Sequence, residues 1–278
     1  MYLIQAILMG IVQGLSEFLP ISSSAHLVFT SNFYKAFKNI EIIHSNQEIF
    51  LDIMLHLGTL IAVIIYFRQE IWTIVRALNE GLKKKDYSSS DFKTGVYIIW
   101  GTLITVLVAY PLAGIAEKLV FKPEFVGLIL IITGFILLFS EYLSKKRIKK
   151  TDITFKNSIL IAIAQGIAAL PGFSRSGLTI ATGLITGSDR TTSAKYSFLL
   201  SIPIILGASM FYPLLTIDLK EVISYNWTAI ITGTLVSGIV GYLCIKYFMK
   251  FLSKFSLAVF GYYCLFMGIF AFIFFIGR

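Results

Sequence analysis

Gln13-Gly14-Leu15-Ser16-Glu17-Phe18-Leu19-Pro20-Ile21-Ser22-Ser23-Ser24-Ala25-His26 interrupts an apolar run that extends from Met1 to Phe29. A carboxylate, a proline, three serines and a histidine are costly at hydrocarbon depth. Ionisable groups placed there face the protein interior or a wet cavity and carry function by default. Pro20 cannot continue an interior helical hydrogen-bond ladder, so the run is not read as one straight spanning helix. Two short helices that meet at a polar turn, entering and leaving on one side, suit it better. Non-helical backbone survives at that depth only where protein or water surrounds it. A second stretch has the same character: Gln165-Gly166-Ile167-Ala168-Ala169-Leu170-Pro171-Gly172-Phe173-Ser174-Arg175-Ser176-Gly177. The two are expected to face each other and form one site.

Working outward, the 278 residues are 56% hydrophobic and only 14% charged, with a mean hydropathy of +0.81. Soluble domains carry about 25% charged residues, so the chain reads as an all-α polytopic membrane protein. Its net charge of +9 is explained by lysines and arginines clustered between apolar segments, as the positive-inside rule requires. Nucleic acid is therefore not an expected partner. The first charged residue is Glu17, so no basic region marks a secretory signal. Cys244 and Cys264 lie in apolar segments without metal-ligand spacing and are read as packing residues, with neither disulfide nor zinc expected.

Apolar segments of spanning length, about 20 residues, follow at Ile49–Phe67, Thr94–Ala116, Phe125–Leu143 and then at 193–216, 227–245 and 255–276. Residues 30–48 read as a polar loop and 68–93 as a basic one. Lys145-Lys146-Arg147-Ile148-Lys149-Lys150 closes the first half, and Asn157–Gly187 repeats the broken opening. Gln13-Gly14-Leu15 matches Gln165-Gly166-Ile167, and Leu19-Pro20 matches Leu170-Pro171 after a one-residue slip. The expectation is one membrane domain built of two repeats, 1–150 and 151–278, each a broken re-entrant helical hairpin plus three transmembrane helices. An odd number of full spans per half inverts the second repeat, and such architectures place sites at the repeat interface.

Gln13 and Glu17 are four apart and share a helical face. Glu17 admits two readings: a buried structural partner for Arg175, or a general acid/base or cation-binding carboxylate. Gln13 cannot titrate, so of the pair only Glu17 can carry a proton. Ser22, Ser23 and Ser24 follow Pro20 as N-cap residues do, but capping explains one serine or two, not three followed by His26. A helix start offers free N–H groups and the positive end of a dipole, hence an anion site. Ser174, Arg175 and Ser176 after Pro171-Gly172 have the same form and add a guanidinium, whose fork suits phosphate. Serine, histidine, carboxylate and arginine together match phosphoester or pyrophosphate cleavage. Asp52 and His56, also four apart, are read as supporting residues or satisfied polar groups at a helix start. His44 is assigned nothing.

These residues resemble the undecaprenyl-pyrophosphate phosphatase family of bacteria, the family linked to bacitracin resistance. The likeness takes in Gln13 and Glu17 as the (Glu/Gln)xxxE motif, Ser22–His26, Pro171–Thr179 as PGxSRSxxT, and the segment from Asp52 through His56 to Thr59. The resemblance implies hydrolysis of undecaprenyl pyrophosphate to the monophosphate carrier lipid and phosphate, a step that serves cell-wall synthesis. It implies Glu17, Ser23, His26 and Arg175 as catalytic residues, and Ser22, Ser24, Ser174, Ser176 and Thr179 with Arg175 around the phosphates. Either Ser23 or His26 is the nucleophile on this reading. A divalent cation, Mg or Ca, and association into a homo-oligomer are compatible with it, although Gln13 stands where many relatives have Glu. The implied partner is a polyprenyl pyrophosphate lipid in a bacterial inner membrane, with the site facing outward. An acid-phosphatase-type lipid phosphatase is set aside because no histidine follows His56. A lipid transporter or flippase with the same repeat architecture remains the rival from another class.

Overall fold

Helix starts and breaks lay the chain out as alternating short and long rods. The computed structural model describes residues 3–38, 46–145, 151–216 and 219–276. His44 and the basic run 146–150 lie outside them. The order is α1 (Leu3–Ser16), α2 (Ser23–Lys38), α3 (Asn46–Tyr66), α4 (Arg68–Lys84), α5 (Ser90–Ala109), a 3-10 turn (Tyr110–Leu112), α6 (Ala113–Val120) and α7 (Pro123–Ser144). Then come α8 (Phe155–Ile167), α9 (Arg175–Ile185), α10 (Arg190–Thr216), α11 (Leu219–Val222), α12 (Trp227–Leu252) and α13 (Ala258–Phe275), with no strand among the described residues. Side-chain caps account for several starts. Ser89 Oγ accepts from Phe92 N at 3.1 Å, Thr154 Oγ1 from Asn157 N at 3.2 Å, and Asn226 Oδ1 from Ala229 N at 3.2 Å.

Among the described residues six helices are long and apolar enough to cross a membrane: α3, α5 continued through α6, α7, α10, α12 and α13. The protein is a multi-pass membrane protein, as its composition predicted. The remaining apolar helices, α1 with 14 residues and α8 with 13, are too short. At a rise of about 1.5 Å per residue such a helix covers about 20 Å of a hydrocarbon core about 30 Å thick. α1 packs on α2 and α8 on α9, so each broken segment is a helical hairpin.

Two expectations are corrected. Residues 30–48 are not one loop: α2 continues to Lys38 and α3 begins at Asn46. In α2, Asn32 is buried and its Nδ2 donates to Val28 O at 2.8 Å. Residues 68–93 contain the amphipathic α4, which buries Ile74 and Gly81 and faces Arg76, Lys83 and Lys84 outward. A helix with one apolar stripe and a basic face lies along a membrane surface rather than through it.

Helices approach closely where small residues face each other. A Cβ on Gly268 of α13 would sit 2.7 Å from the carbonyl oxygen of Gly127 on α7, and one on Gly127 would sit 2.9 Å from that of Gly268. This is how apolar helices associate when lipid removes the hydrophobic drive between them. At one end of that pair, Arg190 clamps Glu141 through Nε and Nη2 at 2.7 and 2.6 Å, and Leu257 N donates to the same carboxylate at 2.8 Å. The buried pair ties α7, α10 and the start of α13 together. Among the buried aromatics, Phe18 meets Phe198 edge-on at 5.5 Å, and Phe198 touches Phe67 and Phe248 at 6.1 and 6.2 Å. Phe18 follows Glu17 directly, so this cluster anchors the first turn from below.

Candidate active site

The first turn begins where α1 runs out. Glu17 N still donates to Gln13 O at 2.9 Å, and the backbone then turns at Pro20 with Ile21 N on Leu19 O at 2.8 Å. Ser22 takes a left-handed φ of 70° and its Oγ accepts from Ala25 N at 3.3 Å, which starts α2. In the second turn Gly172 has φ 100°, a region L side chains rarely adopt. A Cβ there would also lie 2.7 Å from that of Ile129. Ser174 Oγ accepts from Gly177 N at 3.0 Å and caps α9, so Arg175 becomes its first helical residue.

The two turns face each other through three cross-links. Arg175 Nη2 donates to Glu17 Oε1 at 2.5 Å, Ser176 Oγ donates to Leu19 O at 3.0 Å, and Gly172 N donates to Ser24 Oγ at 3.4 Å. Residues about 150 positions apart are thereby held within one hydrogen-bond shell, as expected from the two interrupted stretches.

Glu17 is the hub. Its Oε2 accepts from Gln13 Nε2 at 3.0 Å and from Ser23 Oγ at 2.8 Å, and His56 Nε2 lies 3.6 Å away. Ser22 and Ser174 are buried as caps, whereas Ser23, Ser24, His26, His56 and Arg175 are only partly covered. These five are the partly accessible residues around the two turns. Arg175 Nη1 is buried without a partner. An unsatisfied guanidinium donor is costly, and Nη2 of the same fork holds the carboxylate to which Ser23 donates.

Other expected residues lie differently. Thr179 is turned inward, with Oγ1 2.7 Å from Arg175 O and 2.6 Å from Ser197 Oγ of α10. Asp52 lies one turn before His56 and gives its carbonyl to His56 Nδ1 at 2.8 Å. His26 bonds neither Ser23 nor Glu17: Nδ1 donates to Ser22 O at 2.8 Å and Nε2 meets Tyr263 Oη at 2.7 Å. Its ring stacks on Tyr263 with centroids 5.6 Å apart. Because a carbonyl only accepts, Nδ1 carries the hydrogen, and the Nε2 of neutral His26 receives the tyrosine O–H. Tyr263 was not legible in the sequence, since it lies 237 residues from His26 in an otherwise apolar helix.

Among the described residues no group of three or more His, Cys, Asp or Glu is gathered to hold a metal ion. At the turns the only carboxylate, Glu17, is committed to Arg175, Ser23 and Gln13. This donor set does not fit a divalent ion resident on the protein. Cys244 and Cys264 are free and buried, their sulfurs against the carbonyls of Leu15 and Pro20.

The whole chain is similar to known proteins. The chain is 38% identical over 284 residues to a protein of Methanobrevibacter smithii called undecaprenyl-diphosphatase, covering 98% of this chain and 97% of that protein. It is 38% identical over 274 residues to one of the same name from Halothermothrix orenii, covering 97% and 96%. It is 37% identical over 272 residues to undecaprenyl-diphosphatase 2 of Stutzerimonas stutzeri, covering 96% of each. The family model described as bacitracin resistance protein BacA matches residues 6–270, which takes in both hairpins and every residue around Glu17, and the chain belongs to that family.

Proposed function

We propose that this chain is an integral membrane undecaprenyl-diphosphate phosphatase, a hydrolase that converts undecaprenyl pyrophosphate to undecaprenyl phosphate plus phosphate. Family membership and the names of its relatives support the activity. The observation that carries the chemistry is the divided guanidinium of Arg175, with Nη2 on Glu17 and buried Nη1 without a partner. Nη1 and the starts of α2 and α9 hold the pyrophosphate, because free N–H groups and a helix dipole favour an anion there.

Ser23 is the better placed nucleophile. Its Oγ donates to Glu17 Oε2 at 2.8 Å, whereas the Nε2 of His26 is taken up by Tyr263. As Oγ bonds to the terminal phosphorus, its proton passes to Glu17 and the bridging P–O bond breaks. The lipid monophosphate leaves, and water then cleaves the phosphoserine. Positioning and charge stabilisation carry most of the work in phosphoryl transfer. A divalent cation, where one takes part, would supply countercharge to the pyrophosphate rather than fill a site built by the protein.

The two halves are proposed as inverted repeats that exchange partners: α1 packs against α12 of the second half, while α8 packs against α5 of the first. The hairpins then enter from opposite faces and meet near the midplane. The site opens outward, in an inner membrane whose outer leaflet presents the lipid. Purified protein in detergent should release phosphate from undecaprenyl pyrophosphate. Lipid binding and movement without phosphate release would overturn this in favour of a transporter.

A further inference from the structure

We infer that His56 is the outlet for the proton Glu17 takes from Ser23, a relay residue that acts through Glu17 without touching substrate. The inference rests on the phosphatase reading above. His56 Nδ1 lies 2.8 Å from the carbonyl oxygen of Asp52, which can only accept, so Nδ1 carries the hydrogen. With its proton on Nδ1, an uncharged ring presents the Nε2 lone pair to Glu17 Oε2, 3.6 Å away. That is the same carboxylate oxygen to which Ser23 donates. Facing an ionised carboxylate, a lone pair gains nothing. Once Oε2 is protonated, the two atoms are a matched donor and acceptor that a small approach from 3.6 Å brings into hydrogen-bond range.

Glu17 is a poor resting place for the proton. Neutralising it would remove the charge that Arg175 Nη2 is paired with on Oε1 and weaken the buried ion pair that joins the two turns. The departing lipid monophosphate is an anion that needs no proton, so the serine proton has to leave the site. Of the other groups on Glu17, Gln13 does not titrate, Arg175 is already a cation, and Ser23 is the source. Imidazole accepts protons more readily than a carboxylate does. The side chain of His56 is 33% exposed against 5% for Glu17, so it bridges the buried carboxylate and water. His26 offers no second route, with both ring nitrogens engaged by Ser22 and Tyr263. In sequence, the Ser23 O–H bond breaks as O–P forms, the proton moves to Glu17 Oε2, then to His56 Nε2, and the imidazolium releases the Nε2 proton to solvent. Glu17 is left ionised and paired for the attack of water.

The test uses the full-length protein in detergent and phosphate release from undecaprenyl pyrophosphate. His56→Gln keeps a polar side chain of similar reach but carries no proton. It should lower kcat about 10²-fold while KM stays near the wild-type value. His56→Ala should lose as much and regain kcat in proportion to imidazole added to the buffer, which wild type should not do. His56→Gln with wild-type kcat, or folded His56→Ala that stays impaired at every imidazole concentration, would overturn the relay. Wild-type protein that releases no phosphate would instead overturn the phosphatase reading, and the relay with it.

Discussion

Arg175 reaches across the two facing turns and places Nη2 2.5 Å from Glu17 Oε1, while its Nη1 stays buried and unpartnered. The ion pair joins the hairpins, and on the proposed function it also leaves half of a fork free for a phosphate oxygen. A buried pair of this kind is weak evidence for stability but strongly disfavours loss of one partner.

Arg175→Lys follows from that division. An ammonium is a point charge and cannot hold Glu17 and a phosphate oxygen in one plane. Turnover should fall about 10²–10³-fold, the scale of losing one preorganised donor to a developing anion. Phosphate release from protein shown to be folded by its melting temperature checks this. Near-normal turnover would remove Arg175 from the phosphate site.

Glu17→Gln keeps the shape of the hub and removes its proton chemistry. Turnover should drop about 10²–10⁴-fold, with lipid binding still measurable. Gln13→Ala removes only the 3.0 Å donation to Glu17 Oε2 and should cost far less. Equal losses in the two variants would assign the pair to structure alone.

The adjacent serines should separate cleanly. Ser23→Ala removes the hydroxyl that Glu17 holds and should abolish turnover while the melting temperature barely moves. Ser22→Gly gives up a cap to Ala25 N but relieves a left-handed φ of 70°. Glycine replaces a capping serine at a cost of only a few tenths of a kcal/mol, and relief of φ offsets part of that, so activity should survive. The comparison of kcat with thermal melting in both variants decides it.

Both hairpins were legible because proline and clustered polar residues have few other uses inside an apolar run. Ser174 as a cap and Arg175 as the first residue of α9 follow from the same local rule. The extension of α2 to Lys38 was hidden because Ser31 and Asn32 look solvent-exposed in one dimension yet are buried at 6% and 4% exposure. α4 was hidden by its basic face, whose charges outweighed the spacing of Ile71, Ile74 and Leu78. Tyr263 on His26, and Arg190 on Glu141, are contacts between residues far apart in the chain. No spacing rule reaches across that distance, so these had to come from the packed helices.

The last prediction concerns the face to which the site opens. With hairpins that return to their own side, α4 and the segments 145–154, 186–189 and 253–257 share one face. By position in the sequence, Arg68, Arg76, Lys83, Lys84, Lys85 and Lys93, the cluster from Lys145 to Lys156, Arg190, Lys195, Lys246, Lys250 and Lys254 are assigned to that face. Lys35, Lys38, Lys118, Lys122, Lys220 and Arg278 are assigned by sequence to the other. Cytoplasmic loops carry the excess of Lys and Arg, so the proposed topology puts the first face inside and has the hairpin bearing Glu17, Ser23 and His26 enter from outside. Thr30 lies on α2 within two turns of Ser23 and is partly exposed, whereas Ser88 is exposed after α4 on the basic side. In a chain lacking Cys244 and Cys264, a cysteine at Thr30 should react with a membrane-impermeant thiol reagent added to intact cells. One at Ser88 should react only after the cells are opened. The reverse pattern would invert the topology and require the pyrophosphate lipid to be met from the cytoplasm.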